Sequence, residues 1–168
     1  PSMWPWVQIL TQVLQELDDG ERERLLDTEL GRLVTAGREV TGVPSLVPDT
    51  GARFRLFDQA GQLMDGVAAG RPLVVVIDDL QWADNSSLDL FVHLAARRPA
   101  RVVLIATMRT PTAGRSEELS LALAELSRLP SHRRIQVGPL SGDAVAELIR
   151  QQTGEWPAPD VVRRIRAR

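Results

Sequence analysis

The feature that most constrains the fold is an apolar run, Leu73-Val-Val-Val-Ile77, that ends in two adjacent carboxylates, Asp78 and Asp79. A strand that is apolar at every position is typical of a parallel sheet covered on both faces. Ligands of such sheets bind where the strands end, and both acids emerge there. Because Mg²⁺ takes one or two carboxylates and completes its shell with water and phosphate oxygens, the pair predicts a Mg²⁺-phosphate site. The alternative is a buried strand with an Asp-rich turn, in which Asp79 caps a helix.

A second apolar run follows at Val102-Val-Leu-Ile-Ala106. Between the two runs, residues 86–97 have the apolar spacing of a helix, and Asp84 or Asn85 is its expected N-cap. Strand, helix and strand in this order predict a βαβ unit. The parallel strands of such a unit end at the same edge of the sheet.

The second run leads into Thr107-Met108-Arg109. Because both strands end at one edge, we expect Arg109 to lie beside Asp78 and Asp79. A guanidinium at that point can bind phosphate oxygens bidentately or offset the charge that develops in phosphoryl transfer. The alternative is a surface arginine that only forms an ion pair with the acids.

Three segments carry a resemblance to a known family: Leu73–Asp84, Val102–Arg109 and Val137-Gly-Pro-Leu-Ser141. Together they resemble the ATPase module of the STAND class, the signal-transduction ATPases with numerous domains. The sequence Asp-Asp-Leu-Gln-Trp-Ala-Asp is similar to that of large bacterial transcriptional regulators, both LuxR-type ATP-binding proteins and those with an N-terminal activator domain. Nucleotide cyclases with a fused ATPase share similar sequences. Trp4–Leu10 also resembles the segment that follows the first α/β unit in these proteins.

The resemblance implies a role for each candidate site residue. Asp78 would belong to a Walker B element and hold Mg²⁺ through water, and Asp79 would orient or deprotonate the attacking water. Arg109 would match the sensor arginine near the γ-phosphate of ATP. Gly138 and Pro139 would match the small motif at the start of the lid, where the proline contacts the base. A simple turn into the next helix explains Pro139 equally well without any ligand.

The implied fold is α/β, a partial P-loop NTPase of the ASCE type with three layers and a parallel sheet. We expect strands at about 72–77, 101–107 and 133–137. Residues 1–140 would form the C-terminal portion of the ATPase core. Residues 141–168 would begin a helical lid, so the chain would contain one domain and the start of another.

The phosphate-binding loop of this class is absent from the sequence. No G-x-x-x-x-G-K-[ST] motif occurs in the 168 residues, which include no lysine. Such a loop needs backbone N–H groups at a helix N-terminus and a lysine on the phosphates. We therefore expect the chain to be an excerpt of a longer protein and to be inactive alone. We also expect it to be either poorly stable or completed by another chain or by upstream residues, because the sensor strand would otherwise keep an unpaired apolar edge.

Composition argues against several other classes of protein. The absence of cysteine argues against a disulfide scaffold and a Cys-based metal site. A net charge of −2 gives no general affinity for nucleic acid. No apolar run approaches the ~20 residues that cross a bilayer, and no signal peptide is visible, so we expect a cytoplasmic protein without a membrane partner. His93 and His132 are the only histidines, and their separation does not suggest a metal site.

The remaining periodicity predicts a largely helical scaffold around these strands. We expect an amphipathic helix through Val7–Leu17, a second at Glu21–Val34 and a third at Phe54–Val67. A capped helix should begin behind Ser116. Residues 35–50 contain Gly, Pro and Ser without periodicity, which predicts a long loop.

The resemblance implies an ATP-binding regulatory switch within a multidomain bacterial regulator, with ATP/ADP and Mg²⁺ as its cofactors. ATP binding would set the switch and hydrolysis would reset it, which requires the two nucleotides to favour different domain arrangements. The expected partners are ATP and other domains of the same polypeptide, with self-association left open. DNA would be bound only through a domain outside this chain. The alternatives are a degenerate module that serves protein–protein assembly, and the regulatory ATPase segment of a nucleotide cyclase.

Overall fold

A computed structural model describes residues 2–38, 50–109 and 116–167. The chain forms two compact units, residues 1–132 and 133–168. In chain order, the first unit contains α1 (Trp4–Leu14), α2 (Asp19–Leu26), α3 (Glu29–Arg38), α4 (Thr50–Gly70), β1 (Leu73–Ile77), a 3₁₀ turn (Leu80–Trp82), α5 (Asn85–Arg97), β2 (Val102–Ala106) and α6 (Glu117–Ser127). The second unit contains α7 (Gly142–Thr153) and α8 (Pro159–Arg166).

The βαβ unit predicted from the two apolar runs is confirmed. Strands β1 and β2 are parallel neighbours, with Leu73 opposite Val102 and Ile77 opposite Ala106. Helix α5 connects them, and the carboxylate of Asp84 caps it by accepting a hydrogen bond from the Ser87 backbone N–H. The two strand ends therefore lie at one edge of the sheet.

The strand predicted at 133–137 is wrong. Residues 133–141 take neither helical nor strand conformation, and the side chains of Ile135 and Val137 are 85% and 89% exposed. An alternating segment becomes a strand only when a neighbouring strand pairs with its backbone. In the part of the chain that the structure describes, the sheet consists of β1 and β2 alone.

The prediction that the sheet is covered on both faces is also wrong for the described residues. Val75 and Ile77 are buried in the core, whereas Val74 and Val76 are 57% and 54% exposed. The same exposed face continues on β2 with Val103 and Ile105. Because successive side chains of a strand point to opposite faces, helices packed on one face bury only every second residue. We call the exposed set (Val74, Val76, Val103 and Ile105) the apolar sheet face.

The core of the first unit lies between the covered face of the sheet and its helices. Its largest fully buried apolar side chains are Trp6, Leu10, Leu30, Met64, Leu90 and Leu94. Each contributes roughly 1.5–3 kcal/mol through the apolar surface it removes from water. The indole N–H of Trp6 donates to the Ser87 carbonyl at 2.9 Å, which joins α1 to the first turn of α5.

The helix predicted at Glu21–Val34 is wrong as a single element, because α2 and α3 are separate. The hydroxyl of Thr28 donates to the Leu25 carbonyl at 2.6 Å and so competes with the helical hydrogen bonds at the break. The break also packs tightly, since a Cβ at Gly31 would lie 2.2 Å from the Leu26 carbonyl oxygen. Of the loop predicted at 35–50, residues 35–38 belong to α3 and residues 39–49 lie outside the described residues.

The ends of helices α6 and α7 agree with the local signals in the sequence. Ser116 caps α6 by accepting from the Leu119 N–H, and Ser141 caps α7 by accepting from the Ala144 N–H. Gly154 ends α7 in the left-handed conformation that glycine favours. Among the helices that the structure describes, none combines the length and the apolarity that crossing a membrane requires.

Candidate functional site

The candidate site lies where β1 and β2 end. The backbones stay paired beyond the strands, since the Thr107 N–H donates to the Ile77 carbonyl at 3.0 Å and the Leu80 N–H donates to the Thr107 carbonyl at 2.9 Å. This pairing holds the residues that follow β1 next to the residues that follow β2. Asp78 and Asp79 therefore come next to Thr107.

Thr107 makes the central side-chain contacts of the site. Its hydroxyl donates a hydrogen bond to the Asp78 carboxylate and accepts one from the Asp79 backbone N–H at 3.0 Å. The two bonds orient the first acid and fix the backbone of the second. The sequence alone marks Thr107 only as the end of a predicted strand. The parallel register could have identified it, because it continues from Ile77 opposite Ala106 to Asp78 opposite Thr107.

Asp79 takes an uncommon backbone conformation, with φ 54° and ψ 48°. This left-handed region costs a residue with a Cβ roughly 1–2 kcal/mol, and such strain concentrates at functional sites. Its side chain does not cap the 3₁₀ turn that follows, so the alternative of a helix cap is not met. One carboxylate oxygen instead accepts a hydrogen bond from the Gln81 side-chain amide at 2.8 Å.

Arg109 lies beside Asp79, as the βαβ unit predicts. Its Nε is 3.5 Å from the Asp79 carboxylate, and its side chain is 80% exposed. An exposed ion pair of this kind contributes only about 0–1 kcal/mol, so the guanidinium can exchange this carboxylate for another anion at little cost. The ion pair is the alternative that the sequence left open, and it is compatible with phosphate binding.

Gly138 and Pro139 belong to the second unit. Both are exposed, and the space that a Cβ at Gly138 would occupy has no atom within 4 Å. The nucleotide-base contact that the resemblance implies for Pro139 stays a prediction. The catalytic and metal-binding roles of Asp78, Asp79 and Arg109 also stay predictions.

Asp84, the third acid of this region, serves as a cap and a tether. Its carboxylate accepts hydrogen bonds from the Ser87 hydroxyl at 2.7 Å, the Met3 N–H at 2.8 Å, and the Ser87 N–H and Ser2 hydroxyl at 3.2 Å each. Burial alone raises its pKa, but these four bonds outweigh burial and hold the pKa below the ordinary 3.8. Because its oxygens are occupied in this way, Asp84 is a structural anion rather than a metal ligand.

The site fits a magnesium ion better than a metal held by protein ligands alone. Within the described ranges, no group of three or more His, Cys, Asp or Glu side chains could hold a metal. Asp78 is exposed at the sheet edge, with Thr107 orienting its carboxylate. One or two carboxylates suffice for Mg²⁺, which keeps water and phosphate oxygens as its other ligands.

Comparison with known proteins places the chain within a family. The family model described as the AAA ATPase domain matches residues 1–105. Neither the curated proteins nor the solved structures gave a match to the chain. The matched segment includes Asp78 and Asp79 and ends within β2, before Thr107 and Arg109. Because it spans more than half of the 168 residues, the chain belongs to the AAA ATPase domain family.

Proposed function

We propose that the chain supplies the Walker B and sensor half of an ATP site in a STAND-class regulatory switch. The observation that carries the proposal is the meeting of Asp78, Asp79 and Arg109 at adjacent ends of two parallel strands. In open α/β sheets this edge is where ligands bind. Membership of the AAA ATPase domain family supports nucleotide as the ligand.

Each of the three residues has a chemical role in this proposal. Asp78 would hold Mg²⁺ through water, and the Thr107 hydroxyl orients its carboxylate for that role. The bound ion would neutralise phosphate charge. Asp79 orients the water that attacks the γ-phosphate, since a carboxylate accepts the hydrogen bonds of that water. Arg109 leaves its exposed ion pair with Asp79 and stabilises the phosphate oxygens.

The helices from Ser141 onward, α7 and α8, give the proposed switch its moving part. Residues 1–140 would form the ATPase core, and residues 141–168 would begin a helical lid, with Gly138 and Pro139 at the start of that lid. Pro139 would contact the nucleotide base. For the switch to work, ATP and ADP must differ in affinity for the two arrangements of core and lid, because a ligand shifts an equilibrium only through such a difference.

The proposal also concerns the protein to which the chain belongs. A bacterial signal-transduction or transcriptional regulator would provide an upstream Gly-rich loop with a lysine, which this sequence lacks. Any contact with DNA would come from another domain of the same polypeptide. The regulated output would therefore be separate from the ATP site.

Calorimetry with Mg-ATP and ADP tests this function on the chain and on the full-length protein. We expect nucleotide to bind only when a Gly-rich lysine loop is present. Asp78→Ala and Arg109→Ala should each weaken binding or turnover by about tenfold or more, because each removes charge stabilisation at the phosphates. Asp19→Ala and Arg128→Ala are matched controls away from the site and should bind as the unmodified protein does. Absence of binding in every form would overturn the proposal.

A second function is favoured by one observation, the apolar sheet face. Exposed contiguous apolar surface marks sites of protein association. A degenerate module that keeps its sheet for assembly would have this property without using nucleotide. Sedimentation velocity over a range of concentrations, together with a negative calorimetric result, would support assembly instead of an ATPase switch.

A further inference from the structure

Gln81 joins the ends of the two strands with a single side chain. Its Nε2 donates to the Asp79 carboxylate at 2.8 Å, and its Oε1 accepts from the Arg109 backbone N–H at 3.2 Å. An amide nitrogen only donates and an amide oxygen only accepts, so one orientation alone satisfies both partners. The positions of the amide nitrogen and the amide oxygen therefore follow from their hydrogen-bond partners.

The backbone holds Gln81 in place for these two contacts. Gln81 is the middle residue of the 3₁₀ turn, which is closed by a hydrogen bond of 3.0 Å from the Trp82 N–H to the Asp79 carbonyl. The left-handed conformation of Asp79 precedes that turn. Because residues two apart in a regular helix do not face each other, this local backbone is what allows Gln81 to reach the Asp79 carboxylate.

The amide affects how Asp79 and Arg109 interact. The Arg109 Nε and the Gln81 Nε2 both contact the same carboxylate oxygen of Asp79, at 3.5 Å and 2.8 Å. The amide contact is the shorter, and it fixes the carboxylate while leaving the guanidinium in a loose, exposed pair. Without the amide, the carboxylate could rotate into a closer, bidentate pair with Arg109, the geometry that arginine favours.

We propose that Gln81 is a positioning residue for ATP hydrolysis. This proposal rests on the proposed ATPase function. Gln81 keeps Asp79 directed at the attacking water and keeps the backbone of Arg109 at the end of β2. In this proposal Gln81 acts through Asp79 and Arg109 and is not itself a ligand of nucleotide or metal. Because Asp79 acts on the attacking water, the effect of Gln81 falls mainly on turnover and much less on nucleotide affinity.

Steady-state hydrolysis by the full-length protein, with separate calorimetry of Mg-ATP binding, tests the role of Gln81. Gln81→Met has a similar length but neither donor nor acceptor. We expect it to lower kcat about tenfold, equivalent to about 1.4 kcal/mol in the barrier, while the Kd for Mg-ATP changes by less than about threefold. Gln81→Glu keeps the acceptor and places a second carboxylate against Asp79, so it should be at least as slow.

Rescue distinguishes positioning from simple loss of fold. A neutral imidazole has one donor and one acceptor, so Gln81→His should recover most of the turnover that Gln81→Met loses. Hydrogen exchange at the Arg109 amide should be faster in Gln81→Met than in the unmodified protein and should slow again in Gln81→His. These readouts would not move together if the residue were merely structural.

The outcomes separate this inference from the function on which it rests. If the unmodified protein binds no nucleotide, the proposed function fails and the role of Gln81 in hydrolysis fails with it. If the unmodified protein hydrolyses ATP and Gln81→Met does so at the same rate, only the inference about Gln81 is overturned. The same conclusion follows if Gln81→Met weakens binding as much as it slows turnover, or if Gln81→His gives no rescue.

Discussion

The Thr107 hydroxyl donates a hydrogen bond to the Asp78 carboxylate across the ends of the two parallel strands. The oxygen of the Thr107 hydroxyl also accepts a hydrogen bond from the Asp79 N–H at 3.0 Å. A single exposed threonine thus fixes two consecutive acids of the neighbouring strand. The position of the acids depends on β2 as much as on β1.

Thr107→Val removes the hydroxyl and keeps the shape of the side chain. We expect the free energy of unfolding to fall by about 1 kcal/mol, since two hydrogen bonds are lost at a site where water can replace them. In the full-length protein, Mg-ATP affinity should fall as well, because Asp78 loses its orientation. Urea unfolding and calorimetry measure the two effects. Thr107→Ser keeps the hydroxyl and serves as the control, and equal behaviour of Val and Thr would refute the role of the bond.

Asp84→Ala removes the cap of α5 together with the tether to Ser2 and Met3. We expect a loss of about 1–2 kcal/mol in the free energy of unfolding at neutral pH, as for other helix caps. Urea unfolding at pH 7 gives this value. Asp84→Asn, which keeps a capping oxygen, should lose less than Asp84→Ala.

Asp84 should also contribute to acid sensitivity. Its pKa in the folded chain lies below the ordinary 3.8, so the unfolded state binds the proton more readily. Its stabilising effect is complete above that value and is lost as the pH falls through the lower, folded pKa. Stability curves measured below about pH 4 should therefore be shallower for Asp84→Asn than for the unmodified chain. Asp19→Asn changes the charge equally at an exposed site, and an identical flattening there would argue against this assignment.

Trp6→Phe removes the indole N–H that binds the Ser87 carbonyl and leaves a space beside Phe91, whose ring centroid is 6.4 Å away. Trp6 is fully buried, so we expect a loss of about 2–3 kcal/mol from the missing hydrogen bond and the cavity. Thermal unfolding measures the change. Trp156→Phe, at a side chain 67% exposed, is the control and should change stability by less than about 0.5 kcal/mol.

Arg98→Gly should stabilise the chain. Arg98 ends α5 in the left-handed conformation, with φ 55° and ψ 61°, where a Cβ is strained. Glycine relieves the strain but has more freedom in the unfolded state, so we expect a net gain of about 0.5–1 kcal/mol. Arg98→Ala removes the same side chain and keeps the strain, and it should give no gain in urea unfolding. A gain in both variants would point to the side chain and not to the backbone.

Local signals in the sequence were sufficient for much of the fold. The apolar runs predicted β1 and β2, and the caps at Asp84 and Ser116 followed from side chains that accept hydrogen bonds from the first turn of a helix. The strand at 133–137 failed because its pattern contains no information about whether a partner strand is present. The prediction that both faces of the sheet are covered failed for a similar reason. An apolar residue favours burial, but its type does not show whether another element packs against it.

The candidate site was predicted only in part. The place of Arg109 beside Asp79 followed from the topology of the βαβ unit. The contacts of Thr107 and Gln81 depend on the register of two strands and on the left-handed backbone of Asp79, and neither is visible as a motif. Residues that hold other residues in place were therefore missed, whereas charged residues were found.

The bond between Trp6 and Ser87 has a consequence for biosynthesis, because 81 positions separate its two ends. At roughly 5–20 residues per second, a ribosome needs roughly 4–16 s to reach the second partner after it has made the first. During that interval α1 has no partner in α5 for its largest apolar side chain. Trp6 therefore gains its hydrogen-bond partner only after α5 has been translated, and a chaperone that recognises exposed tryptophan and leucine would meet α1 before that bond can form.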